Sequence, residues 1–116
     1  MEKNTYFKLK METDEIIDVT LNFYRLYQLK TKRPDAYKAY FAVTSKGLED
    51  EFSVWQVIYT GYLCAHLEDD ELQYPDFESF LKDVPYSRTD MWNCYFSLMG
   101  DNKKKVPKSL PDSEKA

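Results

Sequence analysis

The chain has 116 residues, with 20 Asp and Glu against 16 Lys and Arg for a formal net charge of −4, and it is 43% hydrophobic and 16% aromatic. That size supports one core and one domain. The acidic balance excludes an ordinary nucleic-acid binder, whose affinity comes from clustered Lys and Arg releasing counterions, unless a local basic patch intervenes; and the most apolar stretch, residues 52–67, is too short for a bilayer span.

The opening MEKNTYFKLK has no apolar signal-peptide core, which predicts a chain that stays in the cytoplasm where it is made. Within it Phe7, Leu9 and Met11 alternate with Tyr6, Lys8 and Lys10, the pattern of a half-buried strand. ETDE then supplies polar turn residues, and Ile17, Val19 and Leu21 resume the alternation, so the spacing predicts a β-hairpin over about 5–21. A lone hairpin is marginal in water and must pack on something. At Asn22, a good helix N-cap, the period changes to that of a helix carrying Phe23, Leu26, Tyr27 and Lys30. A second register competes with this switch: one helix over 16–30 with Ile16, Val19, Phe23 and Leu26 as its stripe.

KTKRPD breaks the pattern, because the residue before Pro34 is biased away from helix while Pro itself suits a first turn. A second helix is expected over about 34–44, with Tyr37, Tyr40 and Phe41 as its apolar stripe and Gly47 near its end. The third, over about 49–67, carries Phe52, Trp55, Ile58, Tyr59, Tyr62, Leu63 and Ala65 round so much of its circumference that it should be the central element. Pro75 opens a short helix that faces the core through Phe77, Phe80 and Leu81. Ser87 and Asp90 resemble a capping pair for a last helix with Met91, Tyr95 and Leu98 at helical spacing, and Gly100 is a plausible stop. Residues 101–116 have no periodicity and two prolines, and read as a flexible basic tail of five lysines against three acids; its +2 leaves −6 on residues 1–100. The fold class expected is α+β: a single domain over 1–100, its N-terminal hairpin packed on a bundle of four to five helices within about 22–99.

Catalytic chemistry has little to stand on. Cys64-x-His66 places its two side chains on different sides of a helix and has no second pair of metal-ligand type, so neither a zinc site nor any other cofactor is expected there. Cys64 and Cys94 both fall in apolar helical patterns and read as small reduced core residues. EDDE at 68–71 lacks the alternating ligands and mid-loop Gly of a calcium loop and reads as a solvated acidic turn. No phosphate-binding Gly-rich loop, nucleophile elbow or H-E-x-x-H helix is present, and no catalytic residue is assigned.

In order, the hairpin, VTLNFYRLYQLK, PDAYKAYF, VIYTGYLCA and DFESFL resemble the small tail assembly chaperones of long-tailed bacteriophages or prophages of Gram-positive bacteria, over about residues 6–100. The resemblance implies a non-enzymatic protein of virion morphogenesis that binds the helical tape measure protein, keeps it soluble while tail tube subunits assemble around it, and then leaves. Members are also often made as a longer product by ribosomal frameshifting, and Lys103 to Lys105 can be encoded by an A-rich slippery run. The partners implied are the tape measure protein and the tail tube protein, with self-association compatible with wrapping a long partner, and without nucleic acid or membrane. Tyr24, Tyr27, Tyr59 and Tyr62 are the surface or groove aromatics expected to make the contact. The rival reading is a small acidic phage-encoded regulator or inhibitor that binds a host protein, separable by whether the gene lies between those for tail tube and tape measure.

Overall fold

Asn22 is where the strand becomes a helix. In the computed structural model, which describes residues 6–99, its side-chain oxygen accepts the Arg25 backbone N–H at 2.9 Å. Its own backbone is extended, as an N-cap requires. The switch therefore prevails over the continuous helix, because residues 16–19 are already committed to a strand ladder.

That ladder joins β1 (Phe7–Lys10) to β2 (Ile16–Val19) antiparallel, with Leu9 opposite Ile17 and Phe7 opposite Val19. The turn closes through Met11 N–H to Glu15 O at 2.7 Å and places Asp14 at φ 76°, a left-handed conformation that Asp tolerates better than most residues. One face of the hairpin buries Leu9, Met11, Ile17 and Val19.

Five helices follow: α1 (Phe23–Lys32), α2 (Pro34–Lys46), α3 (Glu51–Ala65), α4 (Phe77–Leu81) and α5 (Arg88–Met99). The protein is thus an α+β fold, a two-stranded hairpin on a set of helices. The ends of α2 and α3 differ from expectation by two residues, since α3 starts only after Asp50, whose carboxylate accepts the Ser53 N–H at 3.0 Å. Asp76 and Ser79 form a reciprocal capping box at α4, and Ser87 Oγ accepts the Asp90 N–H at 3.1 Å at the start of α5. The expected Gly100 stop and the basic tail lie outside the described residues.

The third helix is the centre. Ten of the eleven α3 residues from Val54 to Cys64 are buried, Gln56 alone being half-buried, and β2, α1, α2, α4 and α5 all pack on this helix. Thr20 N–H donates to the Gly61 carbonyl at 3.1 Å, fastening the hairpin to α3. Phe80, fully buried, inserts among Trp55, Tyr59, Tyr62 and Tyr74 with ring centroids 5.1–6.1 Å away. These distances are those at which tilted and edge-on rings attract beyond their area burial.

Candidate functional site

The outward surface of α1 and α2 follows from how α1 is held. Leu26 and Leu29 are its buried residues, and Arg25 anchors it by donating Nη1 to the Cys64 carbonyl and Nη2 to the Tyr6 hydroxyl, both at 2.9 Å. With that face committed to α3, Phe23, Tyr24 and Tyr27 must turn to solvent, where they are 90%, 69% and 68% exposed. Rings so exposed contribute almost nothing to the fold.

The next helix, α2, has no fully buried residue at all. Tyr37 and Tyr40 pack half-buried against the core, while Phe41 is 56% exposed and stacks on Tyr37 with centroids 6.2 Å apart. Lys30 of α1 sets its ammonium 5.5 Å from the centre of the Tyr37 ring. This cation–π contact joins the two helices into one face, because Phe23, Tyr27 and Lys30 share a stripe on α1 by helical spacing.

A second outward ring set lies on α5, where Trp92 and Phe96 stack at 5.5 Å. Beside it a cleft of about 310 Å³ has Leu48, Val54, Met91 and Trp92 as its apolar wall, and the Arg88–Glu51 ion pair, 2.6 Å, crosses its rim. A larger cleft of about 520 Å³ runs between Arg33 and Ala36 at the α1–α2 turn, Tyr59 and Leu63 of α3, and Phe77.

Two of the four expected contact residues stand on this surface, Tyr24 and Tyr27. The other two correct the expectation. Tyr59 and Tyr62 are core residues, 5% and 2% exposed, and of the two Tyr59 lines the larger cleft. Their hydroxyls are committed inside: Tyr59 donates to the Tyr74 carbonyl at 3.0 Å, and Tyr62 accepts the Tyr74 N–H at 3.1 Å. Burial covers them because residues 74–81 fold back over α3. Sequence reasoning conversely missed Phe23, Phe41, Trp92 and Phe96; the available signal was that Leu26 and Leu29 already supply a complete inward stripe for α1, leaving Phe23 unplaced.

Cys64 and Cys94 are free and buried, and burial pushes both thiols up to about 12. Burial also raises Tyr59 to about 12, with the neighbouring Tyr62 adding to it. All three are acids that the folded state keeps protonated beyond their ordinary values of 9 and 10. Below pH 9 both folded and unfolded chains are protonated and this contribution to stability is complete; above it the unfolded chain ionises first and gains. The urea midpoint is therefore expected to fall steadily from pH 9 towards pH 12, followed by tyrosinate absorbance. A flat profile would show that these groups are open to water.

His66 caps the end of α3, with Nδ1 2.8 Å from Asp69 Oδ2 and its ring 4.7 Å from that of Tyr62. The EDDE turn thus engages this histidine through Asp69. Among the described residues no three His, Cys, Asp or Glu side chains gather in a way that could hold a metal ion. Nor is any described helix long and apolar enough to cross a membrane. Comparisons with protein families, with curated proteins and with solved structures find no match to this chain.

Proposed function

We propose that the protein is a phage tail assembly chaperone that binds the tape measure protein and keeps it soluble in the cytoplasm of the bacterial host during tail morphogenesis, without becoming part of the mature virion. The observation that carries this reading is the outward ring set of α1, Phe23, Tyr24 and Tyr27, joined through Lys30 to Tyr37 and Phe41 of α2. Contiguous exposed rings on a folded domain mark a surface meant for another molecule. Tyr and Phe suit it because each brings a large rigid contact area with few torsions to immobilise. Two packed helices with rings on their outward side offer a surface for the apolar stripe of a third helix, and a tape measure protein is a long supply of such helices. The succession of aromatic and apolar words that resembles the tail chaperones points the same way.

The test is co-expression with the tape measure protein encoded in the same genome. Wild-type protein is expected to move that partner from the pellet to the soluble fraction and to co-purify with it. The triple variant Phe23→Ser, Tyr24→Ser, Tyr27→Ser is expected to remain folded by circular dichroism and lose both effects. A tape measure protein that stays insoluble beside wild-type chain, with a host protein captured instead, would replace the proposal by the regulator reading.

A further inference from the structure

The charge of this protein is sorted by position. The α1–α2 hairpin, residues 23–46, holds six cations, Arg25, Lys30, Lys32, Arg33, Lys38 and Lys46, against the single anion Asp35, a net of +5. The rest of residues 6–99 holds four cations and fifteen anions, a net of −11. A chain acidic overall therefore carries the outward rings of α1 and α2, Phe23, Tyr24, Tyr27 and Phe41, on a segment that is basic. The ion pairs among the described residues are Lys8–Asp18, Lys10–Asp14, His66–Asp69 and Arg88–Glu51, so none neutralises a cation of the hairpin.

Some of the six have local work. Arg25 is spent on the Cys64 carbonyl and Tyr6, and Lys32 donates to the Leu67 carbonyl at 3.2 Å. Lys30 and Lys38 do not share such ties to backbone or carboxylate: Lys30 sits over Tyr37, and Lys38 is exposed one helical turn before Phe41. Helical spacing therefore sets Lys30 beside Tyr27 and Lys38 beside Phe41, one cation on each helix next to an exposed ring.

We infer that the α1–α2 face selects partner helices whose apolar stripe is bordered by Asp and Glu, the rings supplying affinity and the unpaired lysines choosing the sign of the border. This deepens the proposed function and rests on that reading of the face as a partner site. Charge arranged around an apolar contact acts chiefly on association rate and on rejection of wrong partners. The −11 on the remainder argues against a nucleic acid as occupant, because an extended polyanion would run off the hairpin onto acidic surface, whereas a helix can carry its negative charge only where the hairpin lies.

The experiment titrates full-length protein with two labelled peptides of about 20 residues, long enough to hold helix, which share one Leu stripe and differ only in Glu or Lys borders. At low salt the Glu-bordered peptide is expected to bind about tenfold tighter or better, and the ratio to collapse in about 0.5 M salt as screening shortens the range of the lysines. The double variant Lys30→Glu, Lys38→Glu is expected to invert the preference, while Phe23→Ser, Phe41→Ser weakens both peptides with the ratio kept. Equal binding of the two peptides overturns the inference. So does tighter binding of a single-stranded oligonucleotide in competition, or self-association of the chain that the Glu peptide does not displace. The two proposals fail separately: tape measure capture without peptide discrimination removes only the charge selection, and discrimination without capture removes only the assembly role.

Discussion

Tyr62→Ser is expected to lower the unfolding free energy by about 4 kcal/mol or more, and Tyr24→Ser or Tyr27→Ser by about 0.5 kcal/mol or less, although all four tyrosines of the expected contact set look alike in sequence. The Tyr62 ring lies 5.6–6.1 Å from those of Tyr59, Tyr74 and Phe80, so its removal leaves a cavity bounded by aromatic faces that cannot collapse together. Truncating a buried ring costs about 3–5 kcal/mol for that reason. Its hydroxyl also accepts the buried Tyr74 N–H, which would be left without a partner at a further cost of about 1–3 kcal/mol. Against a total stability of about 5–15 kcal/mol for a domain of this size, the loss is expected to show as a large fall in the urea midpoint and a weakened near-ultraviolet circular dichroism signal. Comparable midpoints for Tyr62→Ser and Tyr24→Ser would mean that the aromatic cluster around Phe80 does not hold the core.

That contrast marks where sequence stops being informative. The hairpin was legible because one buried face imposes strict alternation, and Leu9, Met11, Ile17 and Val19 obey it. The start of α1 was legible because a cap is local: Asn22 needs only the amide three residues on. Tyr59 and Tyr62 were not legible as core, because α3 is apolar on nearly every side, and a helix of that kind does not reveal which side a distant segment will cover. Here the cover comes from Tyr74, Phe77 and Phe80, more than ten residues away in the chain. The outward rings were hidden by the opposite error, since Phe23 and Phe41 carry side chains that normally mark an inward stripe. The +5 of residues 23–46 could be counted from the sequence, yet it acquires meaning only once those residues form a single two-helix face with Phe23, Tyr27 and Phe41 beside the lysines.

The junction between hairpin and helices offers a second large effect, at a residue with no side chain. Gly61 sits inside α3, where Gly is about 1 kcal/mol worse than Ala, so helix propensity alone favours replacing it by any residue except Pro. Packing opposes this. A Cβ at that position would lie 3.1 and 3.2 Å from the two Leu98 methyl carbons and 3.3 Å from the Thr20 carbonyl oxygen. Leu98, near the end of α5, can shift a little, but the Thr20 carbonyl is backbone tied to α3 by the neighbouring Thr20 N–H···O bond to Gly61 itself. Gly61→Ala therefore sets about 1 kcal/mol of propensity against a two-sided squeeze and is expected to change stability little. Gly61→Val adds two more methyl groups in the same crowded place and is expected to cost about 2–3 kcal/mol, with faster hydrogen exchange at the Thr20 amide as the local signature. Combining it with Leu98→Ala should recover part of the loss, a favourable coupling in a double-mutant cycle, because the second change makes room for the first. Strict additivity of the two losses would mean that α3 and α5 do not meet at Gly61.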